Sequence, residues 1–440
     1  MAHIVPFRAF RYNPDRVPLQ RVVTQPYDKI TPEMQADYYN ANPYNLVRII
    51  LGKAQPSDHL KENIYTRAAG FFQDWQRQGV FRQDPQQSLY QYVQRFQSPG
   101  GGPELERRGF IALGKIEDYA AGVVHRHEQT LAKPKADRLN LLRATRAHFG
   151  QLFMLYSDVA GEIDGLLSAA PPPDMENGIE LRDEYGVLHQ VRRVSDPGVI
   201  GLVCSKMRDK KLIIADGHHR YETAIAYRDE CRASQEPASA ASELAPYELV
   251  MMTFVNMDSP GLLILPTHRL VHGLTEFSAE VLVDRARSYF NVEEVDPSLD
   301  VARATGILRQ AGQAGTVFLG VTANRALLFH TPKALGSNLF QGFSLRQQAL
   351  DVVQLHKCLL EEVLGISEET IREQRNITYL RNAGEAMARV RAGSANVAFL
   401  MNPVRMQQVR DIALGGEVLP QKSTDFYPKL LSGLTIYALE

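Results

Sequence analysis

The sequence predicts a mixed α/β and α+β protein in two domains. Strand-like and helix-like stretches alternate irregularly along its 440 residues, with no fixed-period repeat and no heptad pattern. One unit stands out. Lys211-Leu212-Ile213-Ile214-Ala215 reads as a buried strand, and Tyr221 to Cys231 as a helix with Tyr221, Ala224 and Ile225 on one face. A hydrophobic content of 44% against 22% charge supplies enough apolar material for more than one core.

The elements follow in order. Thr31-Pro32-Glu33 is an N-cap with proline at the first helical position, opening a helix that includes Met34 and Tyr38. Tyr65 to Gln78 reads as a second helix, stopped by Gly79. Leu89 to Phe96 and Gly109 to Ile116 have the aromatic and β-branched content of paired strands, with Ser98-Pro99-Gly100-Gly101-Gly102-Pro103 as their turn. Arg138 to Thr145 is helical, with Leu139, Leu141 and Leu142 towards the core. Loop-like compositions at Ala169 to Pro173 and Ser234 to Pro246 read as surface excursions, and a third falls around Pro332 to Gly342. Beyond them, Thr316 to Leu319 and Arg325 to His330 form a hairpin pattern and Leu350 to Leu364 a helix. Asn396 to Met401 reads as a strand, Arg405 to Ala413 as a helix, and Leu434 to Leu439 as a last strand.

Charge and cysteine usage narrow the function classes. Lys and Arg number 49 against 50 Asp and Glu, so no global field draws the chain to nucleic acid or an anionic membrane, and any anion site must be local. Cys204, Cys231 and Cys358 are far apart and outside any CxxC pattern, which disfavours a disulfide framework and a structural zinc cluster. The first residues lack a basic segment followed by an apolar stretch, and runs such as Leu249 to Val255 are too short to span a bilayer. A cytoplasmic protein is expected.

Three clusters carry chemistry. Asp216-Gly217-His218-His219-Arg220-Tyr221 delivers a strand into a tight connection before a helix, whose unpaired N–H groups and dipole favour an anion. Gly217 permits close backbone approach, Arg220 offers a fork of donors to phosphate oxygens, His218 and His219 add donors, and Asp216 can hold Mg²⁺ or a substrate hydroxyl. The plainer alternative is that Asp216 caps the helix while the other side chains satisfy a polar pocket. The second cluster is His125-Arg126-His127-Glu128-Gln129-Thr130, where Glu128 can act as a general base, or the histidines can simply line an edge strand. In the third, Pro420-Gln421-Lys422-Ser423-Thr424, hydroxyls beside a lysine suit a phosphate or carboxylate; a turn with solvated lysines is the alternative.

With these residues in hand, the chain resembles, over essentially its whole length, the domain-of-unknown-function family number 1015. The stretches that carry this include Val5 to Ala9, Gln25-Pro26-Tyr27-Asp28, His127 to Thr130, Pro134 to Leu139, Ala215 to Ala224, Leu265 to Arg269 and Pro420 to Lys429. It also resembles, more distantly, the free serine kinases of ParB/sulfiredoxin-like fold. Those kinases have, in the same order, a His-Glu pair, an Asp-Gly-His-His-Arg segment and a Lys-Thr-Thr segment. The corresponding residues here are His127-Glu128, Asp216 to Arg220, and Lys422-Ser423-Thr424. Arg126 stands where the kinases have proline, and Asp425-Phe426 where they have polar residues.

The resemblance implies a ParB/sulfiredoxin-like N-terminal nucleotide-binding domain over residues 1–275, with an insertion over about 135–205, and an α+β substrate-side domain over 276–440. It implies a nucleotide-dependent phosphotransferase for a small hydroxyl compound, with L-serine/O-phosphoserine as the leading substrate pair, ADP or ATP as phosphoryl donor and Mg²⁺ held by Asp216. Glu128 and Asp216 are then catalytic. Gly217, His218, His219, Arg220 and Tyr221 hold nucleotide phosphates, and His127, Lys422, Ser423 and Thr424 hold the acceptor. The three stretches are expected to converge on one pocket. Two alternatives stay open: a ParB-like nucleotide-binding switch, and a metal-dependent hydrolase using His125, His127 and His219.

Overall fold

The computed structural model describes residues 1–128, 132–170, 178–234, 244–333 and 339–439, with the backbone alone at 132–134. It is a mixed α/β structure whose contacts separate into two compact units, the first comprising Met1–Arg126, Thr130–Leu262 and Pro428–Glu440, the second His127–Gln129 and Leu263–Tyr427.

The first unit is built on a mixed sheet. Its strands are β1 (Ile4–Val5), β2 (Leu89–Gln97), β3 (Glu104–Lys115), β4 (Val124–His125), β5 (Leu152–Tyr156), β6 (Ile179–Arg182), β7 (Leu188–Val194), β8 (Leu212–Asp216) and β9 (Leu249–Asn256). They lie in the order β4-β8-β5-β9-β3-β2-β7-β6, with β1 on β3. The expected hairpin is present: β2 and β3 pair antiparallel from Tyr90↔Ile111 to Gln97↔Glu104 across the glycine-rich turn. β8 runs parallel to β4 and antiparallel to β5. Strands buried on both faces need near-continuous apolar sequence, and β5 (LFMLY) and β9 (LVMMTFVN) supply it. One face of the sheet packs Met154, Tyr156, Ile214 and Phe254 into a continuous core, where a buried aromatic such as Phe254 contributes roughly 1.5–3 kcal/mol.

Two helices of this unit matter for the site: α1 (Ala132–Thr145) and α2 (His218–Ser234). On α1, Leu141 and Leu142 are buried as expected, whereas Leu139 is half-buried. Nearer the start, Thr31 accepts from the Met34 N–H and caps a helix over Pro32–Ala41, and a helix over Ile64–Arg77 ends before Gly79 at φ +70°. The expected last strand is shorter than predicted. Only Tyr437–Ala438 pair as a strand, because the C-terminal stretch divides its backbone bonds among Thr24, Phe10 and Ala147–His148. Gln129 and Thr130 of the second motif, and the segments 171–177, 235–243 and 334–338 within the expected loops, lie outside the described residues.

The second unit has an antiparallel sheet of β10 (His268–Val271), β11 (Asn291–Val295), β12 (Val317–Val321), β13 (Ala326–His330), β14 (Ile377–Leu380) and β15 (Val397–Met401), in the order β11-β13-β12-β15-β10-β14. The β12–β13 hairpin and β15 stand where the sequence predicts them. Helices over Val301–Ala311 and Ala383–Arg391, capped by Asp300 and Asn382, bury Leu308, Ala386 and Val390 against Leu319, Ala398 and Leu400. The helix predicted over Leu350 to Leu364 divides into an α-turn, Asp351–Gln354, and a π-helix, Leu355–Val363.

Candidate functional site

In the first unit the Asp-Gly-His-His-Arg segment is tighter than its sequence suggests. Asp216 ends β8, and His218, His219 and Arg220 already form the first turn of α2, so Gly217 alone makes the connection. Its φ of +98° is the left-handed region that glycine tolerates and other residues resist. A Cβ there would also stand 2.9 Å from Leu152 and 3.0 Å from the Arg220 guanidinium. A register shift between Ile214 and Asp216 marks a bulge in β8, the kind of irregularity that re-aims a side chain at the end of a strand.

Asp216 is surrounded by cations. Lys429, itself buried, places Nζ 3.0 Å from Asp216 Oδ2. Burial pushes the Asp216 carboxyl up, but Lys429, Arg220 and Lys29 outweigh it and hold the group well below the usual carboxylate range. Arg220 Nη1 donates to the Gln151 carbonyl, which fixes the guanidinium beside Gly217. Arg138 lies 4.1 Å over the Tyr27 ring. Burial, then Asp28, lifts the Tyr27 phenol to about 12 against the pull of Arg138 and Arg220. Tyr27, Arg138, Arg220, Gly150 and Ser432 together line a cavity in this unit. The result is a local excess of positive charge at a helix N-terminus, where polyphosphate is favoured.

A buried relay fixes Lys429. The Gln94 amide donates to the Lys429 carbonyl at 2.9 Å and Arg107 to the Pro428 carbonyl. The Tyr92 hydroxyl accepts from the Leu431 N–H and meets His189 Nδ1 at 2.7 Å, while His189 Nε2 lies 3.2 Å from Asp183. Sequence reasoning did not assign roles to Lys29, Arg138 or Lys429. Each sits in or next to a stretch that carries the family resemblance, which was the available signal.

His218 is buried and His219 half-buried on the first turn. Tyr221 is placed differently from a phosphate ligand. Its ring is fully buried, its hydroxyl donates to the Glu117 carbonyl at 2.7 Å and its N–H is spent on Gly217 O. Its role is packing.

In the second unit, His127 and Glu128 lie alongside Leu419 to Thr424. Leu419 N–H donates to His127 O at 2.8 Å, and Glu128 makes a parallel bridge with Leu419. Lys422 turns the chain with a left-handed φ of +57° and donates its N–H to Glu128 Oε1 at 2.9 Å. His127 is fully buried, with Nε2 2.8 Å from Thr424 Oγ1, and Ser423 Oγ donates to Pro420 O. The sequence-predicted set His127, Glu128, Lys422, Ser423 and Thr424 is thus brought together. The His127 and Ser423 polar atoms hold the shape of the loop, while the Lys422 side chain is exposed.

Arg269, from β10, completes this cluster. It is 2% exposed, its Nη2 donates to Lys422 O at 3.3 Å and its guanidinium lies 5.4 Å over the Tyr379 ring. Burial lowers it to about 10, with Tyr379 and Glu128 pulling the other way, so it stays a cation in the field of Glu128. Sequence reasoning gave Arg269 no role, although it ends the Leu265-to-Arg269 stretch.

The profile of the family described as "Protein of unknown function (DUF1015)" matches residues 4–353. The chain belongs to that family. The DUF1015 match takes in Glu128, Asp216 to Arg220 and Arg269, and stops before Lys422 and Lys429. No curated protein matches this DUF1015 chain. Solved structures similar to it include a conserved hypothetical protein from Pyrococcus furiosus, 11% identical, covering 72% of this chain and 92% of that one at a TM-score of 0.36. A free serine kinase in complex with AMP is 11% identical over 69% of this chain and 83% of that one, at 0.36. SbnI with a C-terminal truncation, from Staphylococcus aureus, is 12% identical over 73% and 85%, at 0.35. These likenesses are too remote to carry an inference about the site.

Proposed function

We propose that this protein is a nucleotide-dependent phosphotransferase acting on a small hydroxyl compound, with free L-serine as the first acceptor to try and O-phosphoserine as the donor of the reverse reaction. The observation that carries the reading is Lys429 at 3.0 Å from Asp216, with Arg220 and Lys29 in the field of the same carboxylate, at the N-terminus of α2 beside left-handed Gly217. Phosphoryl transfer depends on alignment and charge stabilisation, and this set provides both for a polyphosphate. The ordered correspondence of His127-Glu128, Asp216 to Arg220 and Lys422 to Thr424 with the serine-kinase motifs supports the same reading.

In this reading the nucleotide phosphates lie against the first turn of α2, with Arg220 and Lys429 neutralising them. Glu128 takes the proton of the acceptor hydroxyl as oxygen attacks phosphorus and the nucleotide leaves. Lys422 and Arg269 supply positive charge to an anionic acceptor. Mg²⁺ usually takes one or two protein carboxylates, with phosphate and water as its other ligands. Asp216 fits as that single carboxylate; no cluster of three acidic, histidine or cysteine ligands occurs among the described residues. When bound, the ion would neutralise phosphate charge. The hydrolase alternative is disfavoured, since His127 Nε2 is committed to Thr424 and His125 Nε2 to Gly122 O.

The test is nucleotide consumption with and without free hydroxyl compounds. Turnover that requires the acceptor, and falls by roughly 10²- to 10⁴-fold in Glu128→Gln while nucleotide still binds, is expected. Turnover unchanged in Glu128→Gln would remove the base, and nucleotide bound but never consumed would favour a switch.

A further inference from the structure

The second unit contains a cavity of about 270 Å³ to whose lining the proposed transfer assigns no role. Its walls include Phe343, Val353, Ile371 and Leu419, and three of its polar groups come from one irregular helix. The wide turns of the π-helix Leu355–Val363 bring His356, Lys357 and Glu361 to line the same cavity. π-Turns are costly and recur at functional sites.

His356 is 7% exposed, and its Nε2 has no hydrogen-bond partner. Burial, aided by Arg269 and Lys357, keeps the ring neutral, so one nitrogen is an acceptor. Buried polar atoms are normally paired, and one left over on a residue that lines a cavity points to a partner from outside the chain. The charges are also incomplete. Lys357 serves two carboxylates, Glu361 at 2.9 Å and Glu368 at 3.7 Å. Arg372, also on the lining and exposed, makes no ion pair among the described residues. Lys357 thus sits between two carboxylates, of which Glu368 is exposed, and Arg372 lines the same cavity without a counter-ion among the described residues.

We infer that this cavity binds a free amino acid with an apolar side chain. The ligand ammonium donates to His356 and to the Glu361–Glu368 pair, its carboxylate meets Arg372, and its side chain packs on Phe343, Val353 and Ile371. Leu419 lines the cavity and also bridges Glu128 and bonds His127 O. The assignment concerns binding alone. It stands or falls independently of the phosphotransferase reading.

The test is calorimetric titration of the full chain with L-leucine, 4-methylpentanoate and 3-methylbutylamine. Leucine is expected to bind at least roughly tenfold more tightly than either half-ligand, because each lacks one charged contact. Arg372→Ala, an exposed change that spares the core, and Glu361→Gln should each weaken leucine by roughly tenfold or more. Glu128→Gln should bind leucine as the wild type does, whether or not the chain transfers phosphate. Absence of leucine heat, equal binding of a half-ligand, or wild-type affinity in either cavity variant would overturn the assignment.

Discussion

Tyr221 separates what a residue does from what its neighbours in sequence suggest. It follows a run of polar residues and so reads as part of the phosphate loop, yet its ring is in the core and its hydroxyl bonds the Glu117 backbone. Tyr221→Phe should cost about 1–2 kcal/mol of stability in urea unfolding and leave nucleotide affinity unchanged; a lost affinity without lost stability would restore it to the site. The misreading has a simple cause: sequence gives the order of residues, not the α-helical rotation that turns position 221 inward while 218 to 220 stay at the turn. Glu128, Asp216 and Gly217 were singled out on chemistry that does not depend on such a rotation. Lys429 was not, because a lysine gains meaning only from the carboxylate it faces, here 213 positions away.

At the scale of elements, the β8–α2 unit was the clearest part of the sequence, and its strand and helix stand as predicted except that the connection shrinks to Gly217. A purely apolar run followed by a helical period is enough to specify both elements. The π-helix was hidden, since its residues keep an ordinary amphipathic pattern. What locks β8 to the C-terminal segment is the Lys429–Asp216 pair, whose side chains are only 8% and 21% exposed. Lys429→Met should destabilise the protein by about 1.5–3 kcal/mol at neutral pH, because it takes the nearest cation and its charge-assisted hydrogen bond from a carboxylate that keeps Arg220 and Lys29. The sign of the pH response follows from the depressed folded pKa of Asp216. Its contribution is complete above the unfolded value of about 3.9 and is lost as pH falls through the folded one. The gap between wild type and variant, followed by urea unfolding across pH, should therefore be widest near neutrality and narrow in acid. A gap of constant size would mean that the pair contributes nothing.

For the whole molecule, the irregular alternation of strand-like and helix-like stretches announced a mixed α/β chain, but not its threading. His127–Gln129 joins the unit otherwise made by Leu263–Tyr427, and Pro428–Glu440 returns to the first. Such assignments follow from long-range packing that local periodicity does not encode. With a formal net charge of −1, the pH response is governed by buried groups rather than by a global field. His148 is held down to about 4 by burial, so the unfolded chain takes up its proton first. The stability difference between wild type and His148→Phe should shift against the wild type as pH falls from about 6.5 to about 4, and a difference flat over that range would show the ring already protonated or exposed. The central claim, that the charged turn about Asp216 holds a nucleotide's phosphates, is tested most directly by calorimetry of ADP and ATP binding to the wild type, Lys29→Ala and Arg220→Ala. Binding that weakens by roughly tenfold or more in each folded variant is predicted; undiminished affinity in both, or none in the wild type, would contradict it.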